Sequence, residues 1–261
     1  MTQAGNRLYC AVSGAGPDLV LLHPAGLDHI FMESLAQRLS ADHRVLSVDL
    51  RGHGRSPDAP PGTTLGDLAD DVHETVSHHC PDGAAILGIS LGGMVAQALA
   101  LAHPRSVSAL VLCGCTGTFD DALRPMLRER GLSAERDGMA AVVDATLDRW
   151  FTPAERHGAL ARATRERLLA DRVENWSATW HAIAGHDALP RLGGVTMPTL
   201  VVAGELDQAT PLAAAQRLAD AIPGARWACL RGAPHMMQME AGEALSNLAR
   251  EFLAQAREGQ S

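Results

Sequence analysis

Gly88-Ile89-Ser90-Leu91-Gly92 sets a serine between two glycines, each two residues away. A serine hydroxyl is a weak nucleophile; it needs a base, and donors for the charge that builds on the carbonyl it attacks. The apolar run before it, residues 84–89 (AAILGI), reads as a buried strand, and the small-residue stretch 92–102 reads as a helix. In that setting the spacing predicts a sharp strand-to-helix turn. Ser90 is then forced into a strained backbone conformation and its hydroxyl stands above the sheet, at a helix N-terminus whose free N–H groups favour negative charge. Outside a strand–turn–helix context the same pattern is an ordinary glycine-rich turn.

Where such a turn carries a nucleophile, the chain order is serine, then an acid, then histidine. His103, His157, His181, His186 and His235 follow Ser90, and of these only His235 comes just after the last predicted strand, residues 227–230. His235 is therefore the expected base. The acid is expected after the preceding strand, residues 199–203, where Gly204-Glu205-Leu206-Asp207 offers Asp207, with Glu205 as its rival and Asp120 or Asp121 as weaker ones. A carboxylate there would fix the imidazole tautomer and stabilise its protonated form. Of the two oxyanion donors, one is expected from the N–H of Leu91, after the nucleophile, and the other from the loop His23-Pro24-Ala25-Gly26. Pro24 has no N–H, which leaves Ala25.

The elements that must position these groups alternate along the chain. Continuous apolar runs at 19–22, 44–48, 84–89, 109–113, 199–203 and 227–230 predict strands buried on both faces, hence a mostly parallel central sheet flanked by helices, with 7–12 as a leading antiparallel strand. Helical patterns fall at 31–39, 64–79, 92–102, 212–221 and 243–256. The alternation breaks at 117–190, which holds three of the four Trp and shows helical spacing without a strand. We read it as an inserted helical cap on a core formed by 1–116 and 191–261. In that cap Trp150, Trp176 and Trp180 either wall an apolar pocket or pack the cap's own core. Arg149 and His181 are candidates for a substrate carboxylate, and for Arg149 a surface ion pair is the leading alternative.

Composition narrows the function classes. The net charge is −8, which disfavours nucleic acid or an anionic membrane as partner. All 22 basic residues are Arg, so no Schiff-base lysine is available. The five Cys are scattered, and Cys113-Gly114-Cys115 lacks the partners of a zinc site. No metal or cofactor is expected. Reduced thiols, the lack of a signal-peptide pattern in residues 1–6 and the lack of a membrane-length apolar run together predict a cytoplasmic protein. Sequence is silent on oligomeric state.

With these residues placed, the chain resembles the α/β-hydrolase superfamily over nearly its whole length, including the loop Asp49-Leu50-Arg51-Gly52-His53-Gly54-Arg55-Ser56. Within it, residues 88–97 (GISLGGMVAQ), 138–153 (GMAAVVDATLDRWFTP), 200–211 (LVVAGELDQATP) and 221–225 (AIPGA) resemble 3-oxoadipate enol-lactonases. It differs from them at His23-Pro24-Ala25-Gly26, at residues 175–180 and at the Met-rich segment after His235. The resemblance implies an α/β-hydrolase fold and a cofactor-free hydrolase of a small-molecule carboxylic ester or lactone, acting through an acyl-enzyme, with enol-lactone hydrolysis in aromatic catabolism as the specific case. The same triad also serves carbon–carbon bond hydrolases of meta-cleavage products and cofactor-free perhydrolases. A ligand-binding receptor with a relic site is the reading outside enzymology.

Overall fold

The computed structural model describes residues 8–259; residues 1–6 and Arg7, on which two of the expectations above fall, lie outside them. Seven strands, β1 (Cys10–Ser13), β2 (Asp18–Leu22), β3 (Arg44–Val48), β4 (Ala84–Ile89), β5 (Val107–Cys113), β6 (Thr199–Gly204) and β7 (Arg226–Leu230), form one sheet in the order β1-β3-β2-β4-β5-β6-β7. Only the edge strand β1 runs antiparallel to its neighbour. The strands are continuously apolar because both faces are covered. Val20 and Leu22 point into one core, with α2 (Leu65–His79), α3 (Leu91–Ala102) and α8 (Leu212–Asp220). Leu19 and Leu21 point into the other, with α1 (Glu33–Leu39) and α10 (Gly242–Glu258).

Local chemistry sets several helix starts. Thr64 caps α2: its hydroxyl accepts from the N–H of Asp67, while the Asp67 carboxylate accepts from the N–H of Thr64. The start of α3 is set by close packing. A Cβ at Gly92 would collide with the carbonyl oxygen of Leu22 on β2, and one at Gly88 with the backbone of Gly92. Glycine at both positions lets the helix lie directly on the sheet.

Between β5 and β6 the chain forms four helices, α4 (Arg124–Asp137), α5 (Ala140–Trp150), α6 (Ala159–Leu169) and α7 (Val173–Ala184). Their apolar residues, Leu127, Val143, Trp150, Leu168 and Trp176 among them, continue the core that holds Val20 and Leu22. The insert is pinned at its base by a bridge between Thr118 and Asp187, and the N–H groups of Ala188 and Leu189 both donate to the carbonyl of Gly117. A further short helix, α9 (Met237–Glu240), precedes α10. Among the described residues no helix is long and apolar enough to cross a membrane, and no cluster of three or more His, Cys, Asp or Glu side chains has metal-site geometry.

Candidate active site

Ser90 sits between the end of β4 and the first turn of α3, with φ 54° and ψ −113°. It is the one non-glycine residue with positive φ among those described, a conformation that costs a β-substituted residue of order 1–3 kcal/mol. The turn holds it there: its N–H donates to the carbonyl of Cys113 at 2.8 Å and its own carbonyl accepts from Met94 at 3.1 Å. The side chain is half-buried, so its hydroxyl can be reached.

The Ser90 Oγ lies 3.0 Å from Nε2 of His235, and Nδ1 of His235 lies 2.9 Å from Oδ2 of Asp207. His235 and Asp207 are both buried. Donation from Nδ1–H to the carboxylate leaves Nε2 as the acceptor for the serine hydroxyl. Asp207 is held independently, since its Oδ1 accepts from the N–H groups of Ala209 and Thr210, each at 2.8 Å. The Thr210 hydroxyl then donates to the carbonyl of Gly114 at 2.9 Å. The rival acids are elsewhere: Glu205 is exposed and accepts from the N–H of Gly232, while Asp120 and Asp121 lie on the surface beside Arg217 and Arg124. Gly114 belongs to this group too, although no motif in the sequence marks it. Its φ is 53°, and a Cβ there would come within 3.2 Å of Asp207 Oδ2 and 3.4 Å of His235 Nδ1. The one signal in the sequence is a glycine at the end of a buried strand.

The loop that carries Ala25 is braced from behind. His23 is fully buried; its Nδ1 donates to the carbonyl of Pro24 at 2.8 Å and its Nε2 accepts from the N–H of Leu50 at 2.9 Å. Burial pushes the pKa of His23 and that of its neighbour His53 down, so both rings are neutral struts. Gly26, at φ 70°, completes the turn. Leu91 heads α3, where the first N–H groups have no intrahelical partner. The loop at 49–56 is structural: the buried Asp49 carboxylate accepts from the N–H groups of His29 and Arg55, at 2.7 and 2.9 Å.

The candidate residues of the helical insert separate. The Trp150 ring lies 6.1 Å from that of His235. Trp176 packs over Gly26, where a Cβ would meet its ring at 2.8 Å, and its indole N–H donates to the carbonyl of Arg130. Trp180 packs edge-on against Trp176, 5.6 Å between ring centres. Arg149 is half-buried, no ion pair to it occurs among the described residues, and its Nε is buried without an acceptor there. His181 is placed apart from this group. It lines a cavity of about 380 Å³ with Leu65, Ala98 and His186, and Ser90 and His235 are not part of that lining.

A strained serine between a strand and a helix, bonded through histidine to a buried aspartate on the following strand loops, is joined here by a sequence-wide match. The α/β-hydrolase fold family model covers residues 18–242. The chain belongs to the α/β-hydrolase family. Among this hydrolase's relatives, the pimeloyl-[acyl-carrier protein] methyl ester esterase of Chromobacterium violaceum is 30% identical over 84% of this chain and 87% of its own. The enol-lactonase from Burkholderia xenovorans, a solved structure, superposes with a TM-score of 0.88 at 29% identity, covering 95% of this chain and 96% of the other. The polyketide synthase ThaQ of Burkholderia thailandensis is 32% identical over 95% of this chain, which spans only 12% of that protein's length.

Proposed function

We propose that this hydrolase cleaves a small-molecule carboxylic ester or lactone through an acyl-enzyme on Ser90. The observation that carries the reading is the continuous hydrogen-bond line from Ser90 Oγ through His235 to Asp207. His235 takes the proton of Ser90 as the hydroxyl attacks the carbonyl, and the negative oxygen is met by the N–H groups of Leu91 and Ala25. His235 passes the proton to the departing alkoxide. It then takes a proton from water as the water oxygen attacks the acyl carbon, and returns that proton to Ser90 Oγ as the acyl–oxygen bond breaks, which releases the acid. Asp207 holds the ring in the required tautomer and stabilises its protonated form. The residues between β5 and β6 form the cap that selects the substrate, with Trp150 and Trp176 against the reacting groups and Arg149 as the cap's charged contact. The names of the relatives, a methyl ester esterase and an enol-lactonase, support an ester or lactone over the other chemistries such a triad serves.

Purified protein should turn over aryl esters and bind a fluorophosphonate covalently. Ser90→Ala should do neither while unfolding at the wild-type temperature. Ester turnover by Ser90→Ala would overturn the assignment. Wild-type protein that ignores the fluorophosphonate would point to a relic site. Activity confined to meta-cleavage products, or to peroxide-dependent chemistry, would move the reading to those reactions.

A further inference from the structure

Two consecutive residues at the end of α6 bear on the loop proposed to carry the second oxyanion donor. Nε of Arg167 donates to Oδ2 of Asp28 at 2.9 Å. Leu168 is fully buried against Gly26, where a Cβ would meet its Cδ2 at 2.5 Å, and the Trp176 ring closes on the same glycine. Gly26 and Asp28 belong to one short loop. The N–H of Leu27 donates to the carbonyl of Pro24 at 3.3 Å, around Ala25 and Gly26. Asp28 then starts the 3₁₀ segment His29–Met32, its Oδ1 accepting from the N–H of Ile30 at 3.0 Å. One oxygen of the buried Asp28 carboxylate thus fixes its own turn, and the other fixes that turn to the insert.

Arg167 is itself held. Its Nη2 donates to Oδ1 of Asp171 at 3.3 Å, one helical turn on, and the side chains of Asp28 and Asp171 are only 7% and 5% exposed. Two nearly buried carboxylates face a single guanidinium, which offsets a repulsion that water no longer screens. The neighbouring ties between insert and core go elsewhere. Arg172 pairs with Asp58, while Asn175 donates to Asp58 and accepts from the N–H of Ala59, each at 2.9 Å. A cavity of about 470 Å³ lies along this seam, with Asp28, Asp58, Arg167 and Arg172 in its lining. Among the described residues, the hydrogen bond from Arg167 is the one that joins the insert to residues 23–28.

We propose that Arg167 is a positioning residue for oxyanion stabilisation: through Asp28, and with Leu168 seated on Gly26, it holds the N–H of Ala25 where the substrate's carbonyl oxygen becomes negative. The inference rests on the ester or lactone reading above and deepens it, because it ties the insert to the bond-breaking step. An oxyanion donor acts only while its N–H stands about 2.7–3.1 Å from the developing charge, and a displacement of about 1 Å costs of order 10²-fold in rate. His23 fixes the loop from the core side, and Arg167 fixes it from the insert side. Any movement of α6 relative to the sheet is then felt at Ala25.

Asp28→Asn is the lead variant. Its single amide oxygen can serve Ile30 or Arg167 but not both, and Arg167 keeps Asp171 as counter-ion, so the fold should survive. Aryl-ester kcat should fall on the order of 10- to 100-fold, short of the roughly 10²–10³-fold of a donor removed outright, with little change in KM. A trifluoromethyl ketone gives a second readout. Ser90 Oγ adds to its carbonyl carbon, the proton passes to His235 and the negative charge to the ketone oxygen, so the inhibition constant should rise by the factor by which kcat falls. Arg167→Met should give the same loss, Arg167→Lys should recover part of it, and the double variant should lose no more than either single one. Arg172→Met, which cuts the neighbouring tie to Asp58, should keep the wild-type kcat and inhibition constant. Amide exchange across residues 24–31, read by mass spectrometry, should quicken in Asp28→Asn and not in Arg172→Met. Wild-type kcat in Asp28→Asn, additive losses in the double variant or an equal loss in Arg172→Met would overturn the inference and leave the hydrolase reading standing. A wild type that hydrolyses no ester would overturn that reading and, with it, the role of Arg167 in catalysis, whatever the exchange rates.

Discussion

The N–H of Met236 donates to the carbonyl of Trp150 at 3.0 Å. The residue after the candidate base is thus bonded to the last residue of α5, and the helical insert is fastened to the loop that carries His235. Glu240 adds a second tie, since its carboxylate accepts from both the N–H and the hydroxyl of Thr152, at 3.0 and 2.6 Å. Glu240→Ala should cost about 1–3 kcal/mol, because it leaves the N–H of Thr152 without its acceptor, and should raise KM as the cap loosens. Glu240→Gln, which retains an acceptor, should recover most of both. Urea denaturation with steady-state kinetics reads the two effects, and wild-type values for Glu240→Ala would show that the tie carries no weight.

Asp207→Asn tests the acid. The amide can keep its oxygen toward the N–H groups of Ala209 and Thr210, so the fold should be unaffected. Its NH2 then faces Nδ1 of His235 and forces the proton onto Nε2, which can no longer accept from Ser90. The expected loss in kcat is about 10⁴-fold with an unchanged melting temperature. A loss under about 10-fold would mean that Asp207 does not orient the base.

Glycines at the turn and in the 3₁₀ segment ahead of β6 make a matched pair. Gly92→Ala drives a Cβ into the carbonyl oxygen of Leu22 and should destabilise by about 3 kcal/mol or more, as rigid overpacking does. At Gly193 the place a methyl group would take has nothing within 4 Å of it, and φ is not positive. Gly193→Ala should be neutral or stabilising by up to about 1 kcal/mol. Denaturant midpoints of the two variants should diverge in that order; similar midpoints would refute the packing argument.

His186 sets part of the acid limit of stability. It is buried, with Nε2 donating to the carbonyl of Thr116 at 3.0 Å, and burial lowers its pKa from 6.5 to about 4. Between those values the unfolded chain binds a proton that the folded chain refuses, so stability falls as pH drops through this window and no charge penalty remains above it. The neutral struts His23 and His53 act in the same direction. Replacing His186 with Asn should shrink the stability difference between pH 7 and pH 4.5 by about 2 kcal/mol. An identical difference in urea titrations at the two pH values would remove His186 from the account.

Strands such as β2 and β4 are legible in the sequence because burial on both faces leaves an unbroken apolar run, and the Ser90 turn because two glycines are required where α3 meets the sheet. Glu205 and Asp207 cannot be separated by spacing, since both lie in one loop. The hydrogen bond from Gly232 to Glu205 and the N–H pair on Asp207 distinguish them, and both are contacts of folded loops. His181 lies on the same helix as Trp176 and Trp180 but lines a cavity that those two rings do not, a difference of helical phase that a residue-type argument overlooks.

The bridge between Thr118 and Asp187 has a consequence for how this molecule can change over generations. Because both ends of the insert are stitched together at its base, the α/β core meets it as a hairpin-sized interruption. The entropy of closing such a loop grows only slowly with its length. Helices can be lengthened or shortened above the stitch without moving the two chain ends that β5 and β6 present to it. Ser90, Asp207 and His235 all lie outside the stitched segment, so a change in the length of the insert and the retention of those three side chains are separate inheritances within a single chain.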